Sequence, residues 1–300
     1  MTNKIKNIKI KKIFNSEEIY HLTKAEKVKS IIEKEKIINK VNRLLETNKM
    51  HCYAIYNKTI PFGYITGNYF NSKAGVMISD CVIDYEFNKA EEYVYMLIEH
   101  IYKEMNDNCK YFRMFPELKL IDSIYDKLKM NCFEVELRYS MEYEFSNTFQ
   151  IEELPKEYKN NYNIIKYFSK YCDVEKNSYA GSIDAKLFPE IEIGCRKNSE
   201  DIDETLCPVI IYNNELIAAA LINKINTNTA EIESISVLKS HHSKGIGKML
   251  VREILGNCYS KGFTKVILSV TKKNVKAVNL YLKMGFKIEE EFYIVTKKYD

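Results

Sequence analysis

The chain repeats itself, and that repetition constrains its fold more than any other feature. The segment I-Y-N-K-T-I-P-F-G-Y-I-T-G (residues 55–67) parallels I-Y-N-N-E-L-I-A-A-A-L-I-N (residues 211–223) at an offset of 156. Each reads as a strand, a tight Asn-containing turn and a second strand. S-D-C-V-I-D-Y (79–85) matches E-S-I-S-V-L-K (233–239) at an offset of 154, and each precedes an amphipathic helical pattern. K-M-N-C-F (129–133) and K-M-G-F (283–286) then precede Tyr-rich strand patterns. Landmarks in one order at nearly one offset predict two copies of one fold.

Periodicity is lost around residues 146–158, which include Pro155, so the expected domains are 1–150 and 151–300. Each has the usual size of a domain. Helical patterns come first: S-E-E-I-Y-H-L and a stretch over 26–45 in the first half, N-I-I-K-Y-F-S-K-Y in the second. A hairpin, a strand–helix–strand–helix unit and a last strand follow. This order implies an α/β class with a mixed sheet, antiparallel in front and parallel at one βαβ unit.

Composition excludes several function classes. The net charge is +4, from 45 basic and 41 acidic residues that are dispersed rather than striped, so no nucleic acid partner is expected. No apolar run is long enough to span a membrane, and the basic N-terminus lacks the apolar segment of a signal peptide. The eight cysteines form no C-x-x-C; they are expected to be thiols of a cytoplasmic protein rather than disulfides or zinc ligands. The adjacent His241 and His242 have no acidic or Cys partner nearby in sequence, and no metal is expected.

The chemistry concentrates in H-H-S-K-G-I-G-K-M-L (residues 241–250). It lies between the alternating run A-E-I-E-S-I-S-V-L (230–238) and a helical pattern carried by Met249, Leu250, Val251, Ile254, Leu255 and Cys258, with Gly262 as its stop. A helix start offers N–H groups without internal partners and a partial positive charge, which suits a phosphate. Gly245 and Gly247 permit close backbone approach and positive φ, and Lys244 and Lys248 add charge. A nucleotide P-loop is excluded, because His242 stands at its first glycine and Met249 at its Ser/Thr. A dinucleotide fingerprint fails at Leu250, which takes its third glycine.

The loop His242-Ser243-Lys244-Gly245-Ile246-Gly247 resembles the [R/Q]-x-x-G-x-[G/A] motif of the GCN5-related N-acetyltransferase (GNAT) superfamily. The next block of that family, Asn-x-x-Ala-x-x-x-Tyr-x-x-x-Gly-Phe, appears as Asn274, Ala277, Tyr281, Gly285 and Phe286. The resemblance covers roughly residues 205–300, with echoes in the first half, so the fold implied is two tandem GNAT-like mixed-sheet domains. It departs from the family at His242, where Arg or Gln is usual. It implies acetyl-CoA as co-substrate. Backbone groups of Ser236 and Val237 would take the pantetheine arm and acetyl carbonyl, the amides of His242, Ser243, Lys244, Gly245, Ile246, Gly247 and Lys248 the pyrophosphate, and Asn274 the pantetheine region.

The acceptor implied is an amine. A lysine-like amine with pKa of about 10.4 is neutral only ~0.04% of the time at pH 7, a deficit of roughly 4.6 kcal/mol. A positioned carboxylate reduces it. Glu231 and Glu233 lie two apart on the strand before the loop and face one side; Glu231 ranks first as base, and Ala230-Glu231-Ile232 resembles the base-bearing segment of several family members. Tyr281 is the expected acid for the departing thiolate. It shares a helix face with Asn274 and Ala277. In the first half, the offset of 154 sets Glu91 and Tyr93 against Gly245 and Gly247, and Leu128 stands where Tyr281 does. That half is expected to be a degenerate copy without a CoA site. Tyr139 and Tyr143 are expected to be packing residues of a strand. A non-catalytic acyl-CoA-binding sensor or partner-binding module is the alternative function.

Overall fold

The computed structural model describes residues 8–22, 31–46, 50–70, 75–84, 90–105, 109, 111–114, 118–146, 149–150, 155–162, 164–179 and 204–299. The chain divides into two compact units, Met1–Glu136 with Phe292–Asp300, and Leu137–Glu291.

The first unit contains β1 (Ile8–Ile13), α1 (Ile31–Glu46), β2 (His51–Asn57), β3 (Ile60–Phe70), β4 (Gly75–Ile83), α2 (Ala90–Glu104), β5 (Tyr111–Met114) and α3 (Leu118–Met130). Strands β1 to β4 pair antiparallel in succession, and β4 and β5 pair parallel. The expected helix S-E-E-I-Y-H-L is a 3₁₀ helix, Ser16–Leu22, kinked at Ile19. The expected helix over 26–45 is α1, and its first residues lie outside the described ones.

The second unit contains β6 (Glu134–Glu144, from Leu137 onward), β7 (Lys159–Asn161), α4 (Phe168–Tyr179), β8 (Val209–Tyr212), β9 (Glu215–Lys224), β10 (Thr229–Val237), α5 (Ile246–Ser260), β11 (Lys265–Thr271) and α6 (Val275–Lys283). Its strand order is β6-β11-β10-β9-β8-β7. The β8–β9 hairpin turns on Asn213 and Asn214, whose φ values of 48° and 64° fit the mirror-image turn that asparagine favours. Leu216–Ile222 of β9 is buried without alternation, as a strand covered on both faces must be. The α5 helix turns Ile246, Leu250, Val251, Ile254, Leu255 and Cys258 inward. Each large aliphatic side chain so buried contributes about 1.5–3 kcal/mol, several times any helix-propensity difference.

The duplication is visible in register. Parallel pairing ends at Ile78↔Met114 in one unit and at Ile232↔Leu268 in the other, positions 154 apart on both strands. Each first strand bulges at the next residue, Ser79 in β4 and Glu233 in β10.

The units do not follow the sequence blocks 1–150 and 151–300. The last strand of each repeat completes the sheet of the other. Residues Arg138–Glu144 of β6 pair antiparallel with β11, and Val295–Lys298 of β12 (Lys287–Lys298) pair antiparallel with β5. Buried Met141 joins the second unit's core, and Val295 and Tyr299 join the first unit's. The aperiodic segment around 146–158 therefore follows a strand already committed to the second unit. Tyr143 packs on Phe145, Phe149 and Phe286, in keeping with a packing role. No disulfide joins the described cysteines, and Cys195 lies outside them. Among the described residues no helix is long and apolar enough to cross a membrane.

Candidate active site

The site is built where β10 leaves β11. The two pair only from Thr229↔Lys265 to Ile232↔Leu268, yet β10 continues to Val237 and β11 to Thr271. The bulge at Glu233 supplies a local cause, since an extra residue bends the strand and interrupts its ladder. Past it, β10 keeps β9 on one edge through Val237↔Ala218. Leu238 N–H donates to Ile217 O at 2.8 Å. Alternation then directs the Ser236 backbone toward β9, and the Ile235 and Val237 backbones toward the edge that β11 has left. The Ser236 hydroxyl is buried and has no hydrogen-bond partner among the described residues.

The glycine loop follows directly. A 3₁₀ turn, Lys239–His241, takes up two amides: His241 N–H donates to Leu238 O and His242 N–H to Lys239 O. The His242 amide is thus already engaged, which narrows the expected cradle to Ser243 through Lys248. Ser243 (φ 62°) and Gly245 (φ 82°) are left-handed, and Gly245 caps α5. The helical ladder begins with Met249 N–H on Gly245 O at 3.1 Å, so the amides of Ile246, Gly247 and Lys248 precede it. A Cβ on Gly245 would meet no atom within 4 Å, and one on Gly247 would lie 3.4 Å from Leu280 Cδ2. Within the protein itself, then, Gly245 answers a conformational need rather than crowding. Lys244 and Lys248 are exposed.

Glu231 and Glu233 share a side of β10, because Asn223 Nδ2 reaches both carboxylates, at 3.5 Å and 3.1 Å. Glu231 is half-buried and Glu233 exposed. Desolvation pushes the Glu231 carboxyl above the usual range, the Glu233 charge adds to this, and the Asn223 hydrogen bond opposes it. Asn223 gave no signal in the sequence beyond its place at the end of a repeated hairpin.

Tyr281 is buried in α6, edge-on to Phe286 at 5.7 Å between centroids. Burial pushes its phenol up to about 12. Asn274 is the N-cap of α6, its Oδ1 accepting from Ala277 N–H at 3.2 Å. Gly285 has φ 95°, and a Cβ there would sit 3.1 Å from Tyr143 Cε2. Much of the Asn-to-Phe block therefore has a fold-level reason. The two histidine rings diverge: His241 lies beside Ser240 Oγ (3.0 Å) and edge-on to Tyr212, whereas His242 Nε2 meets Val237 O at 2.8 Å.

In the first unit, α2 starts 156 residues before α5, not 154. Glu91 and Glu92 thus match Gly247 and Lys248, in a helix's first turn, where acids complement the dipole. Tyr93 matches Met249 rather than a glycine; it is buried against Phe62, 5.1 Å between centroids. Residues 85–89, which precede α2, lie outside the described ones. Buried Leu128 holds Tyr281's place. Phe133 N–H donates to Leu128 O as Phe286 N–H does to Tyr281 O, both at 3.0 Å, and left-handed Cys132 (φ 62°) stands in for Gly285.

Residues 167–286 match the acetyltransferase (GNAT) family. N-acetyltransferase 8B of Rattus norvegicus is 36% identical over 59 residues, 20% of this chain and 27% of that protein. N-acetyltransferase family 8 member 3 of Mus musculus is 40% identical over 60 residues, 20% of this chain and 26% of that protein. The chain thus spans about a quarter of the length of these curated relatives. Among solved structures, a GCN5-related N-acetyltransferase from Sphaerobacter thermophilus superposes with a TM-score of 0.63 at 12% identity, covering 97% of this chain and 95% of that one. A tandem GNAT protein from the clavulanic acid biosynthesis pathway superposes with a TM-score of 0.52 at 8% identity, covering 83% and 82%. The fold of both halves is the one these proteins share, and residues 167–286 carry the match to the GNAT acetyltransferase family.

Proposed function

We propose that the second half of this chain is an acetyl-CoA-dependent N-acetyltransferase that acts on an amine by direct attack. The observation that carries this reading is the gap between β10 and β11, with an open backbone edge running into a glycine-led helix start. The residues present fit the co-substrate: amides from Ser243 to Lys248 suit a pyrophosphate, and the free edge at Val237, with Asn274, suits the pantetheine arm, whereas the Ser236 backbone is turned to β9 and does not serve it. When bound, acetyl-CoA supplies an activated acetyl thioester. Glu231, half-buried and with its affinity for a proton raised, takes the ammonium proton directly or through water; Glu233 is the second candidate. Tyr281 donates its O–H toward the sulfur as the C–S bond breaks.

In this reading the first half is a degenerate copy without a CoA site, since Glu91 and Glu92 occupy the first turn of α2 and Leu128 lacks a hydroxyl. A cytoplasmic location agrees with the absence of disulfides among the described cysteines. Incubation of the full chain with acetyl-CoA and a panel of amines, following free thiol, tests the activity. Thiol release that depends on one amine class supports it. Tight CoA binding with no release under any amine would favour the acyl-CoA-binding module instead.

A further inference from the structure

The Val237 carbonyl, on the edge that β11 has left, accepts from two side chains. Ser178 Oγ of α4 reaches it at 2.9 Å and His242 Nε2 at 2.8 Å. The Ser178 hydroxyl also faces Val174 O at 2.8 Å, and its single proton serves two carbonyls. The His242 bond is therefore the undivided one. A carbonyl only accepts, so the imidazole carries its proton on Nε2. His242 opens the glycine loop, where the resemblance leads one to expect an Arg or Gln directed at phosphate. Here the side chain turns the other way, onto the strand.

We propose that His242 is a positioning residue for the acyl thioester: it ties the glycine loop to the free end of β10 and caps the Val237 carbonyl. An uncapped carbonyl would set negative charge on the same edge as the Val237 N–H and repel a thioester oxygen. With its lone pairs occupied, that edge acts as a donor, aimed where charge grows as the amine attacks. The same bond holds the loop between His242 and Gly245 at a fixed distance from the strand, so the thioester and pyrophosphate ends of one ligand meet a pre-set frame. This proposal rests on the acyl-CoA reading of the site.

The test uses the full chain and its His242→Ala and His242→Gln variants. Long-range ¹H–¹⁵N NMR of the wild-type ring, with no ligand added, is expected to show a proton on Nε2. Calorimetry with CoA, and an NMR titration with S-acetylpantetheine, which lacks the pyrophosphate, then read the ligand. His242→Ala is expected to weaken both by a similar factor of about 3–10, the worth of one hydrogen bond. His242→Gln, whose amide N–H can replace Nε2–H, is expected to restore both, with thermal stability unchanged across the set. A ring bare at Nε2 overturns the proposal and leaves the acyl-CoA reading standing. So does a loss confined to CoA, which would place His242 on the phosphate, or no loss with either ligand. A wild type that fails to bind CoA overturns the acyl-CoA reading itself, and the proposal with it.

Discussion

Removing one O–H from Tyr281 tests the proposed chemistry most directly. The ring is buried and edge-on to Phe286, so Tyr281→Phe keeps the packing and should change stability by less than about 1.5 kcal/mol. Burial raises the phenol to about 12, which favours the neutral form, so the proton stays in place throughout any practical assay range. The same shift has a cost. Full transfer from a phenol at about 12 to a thiolate whose reference is about 8.5 is uphill by roughly 5 kcal/mol. Tyr281 therefore serves as a hydrogen-bond donor while the sulfur charge develops, and the transfer completes only as far as the same burial raises the thiol too. Two outcomes are expected. Turnover of Tyr281→Phe, read as thiol release, falls by about 10²–10⁴ while CoA affinity by calorimetry is unchanged. The wild-type pH–rate profile shows no alkaline limb from this residue below about 12. A variant within about threefold of wild type, a difference below about 0.7 kcal/mol, would return Tyr281 to the core as a packing residue.

The remaining predictions concern the base, the loop, the stoichiometry and the exchanged strands. Glu231 is active when ionised, so the rate should rise with pH through its raised pKa; Glu231→Gln should abolish that limb, and Glu233→Gln should move it to lower pH by removing a like charge. If only Glu233→Gln abolishes the limb, Glu233 is the base. Gly247→Ala should keep CoA binding and gain up to about 1 kcal/mol of helix stability, whereas Gly245→Ala should lose about 1–2 kcal/mol to left-handed strain and Gly245→Glu should lose CoA binding by calorimetry. Calorimetric titration should give one CoA per chain; two would make the first half a working cofactor domain. Separate fragments 1–150 and 151–300 should each fail to fold cooperatively, and mixing them should restore folding. The reason is that the second loses the seven-position β6–β11 register, worth about 3–10 kcal/mol against a total of about 5–15. A cooperative melt of 151–300 alone would contradict this.

What could be read in advance was whatever a residue type demands of its own backbone. Gly245 at φ 82°, Gly285 at φ 95° and Asn274 at the α6 N-cap meet local needs, and local needs are written in local sequence. The repeat was legible for the same reason, through its hairpins, its helix starts and its left-handed Cys132 and Gly285. Partner choice was not. The alternation of β6 marks a strand, but the free edges of two homologous sheets offer the same ladder, and sequence cannot say which one it joins. The choice shows only in three dimensions, where Met141 is buried in the second unit and Tyr143 closes over Gly285. Asn223 and Ser178 were missed likewise, since each acts on a residue remote in sequence, Asn223 on the two carboxylates and Ser178 on Val237.

The first unit separates what belongs to the fold from what belongs to the chemistry. Its parallel pairing stops at Ile78↔Met114, Met114 being the last residue of β5, and it keeps the bulge beside that pair at Ser79. The register and the bulge belong to the fold, since they require no ligand and recur in both units. At the helix start it carries Glu91 and Glu92 in place of Gly247 and Lys248, and at the end of α3 it carries Leu128 in place of Tyr281. Acids in the first turn are good for the helix and bad for an anion. A buried leucine packs as well as a buried tyrosine and donates nothing. Both residue choices satisfy the fold without serving an anion or an acid, so the shared register by itself does not make a site. In the second unit the helix starts without an acid, behind Gly245, and that asymmetry assigns the cofactor to the second half in the reading proposed above.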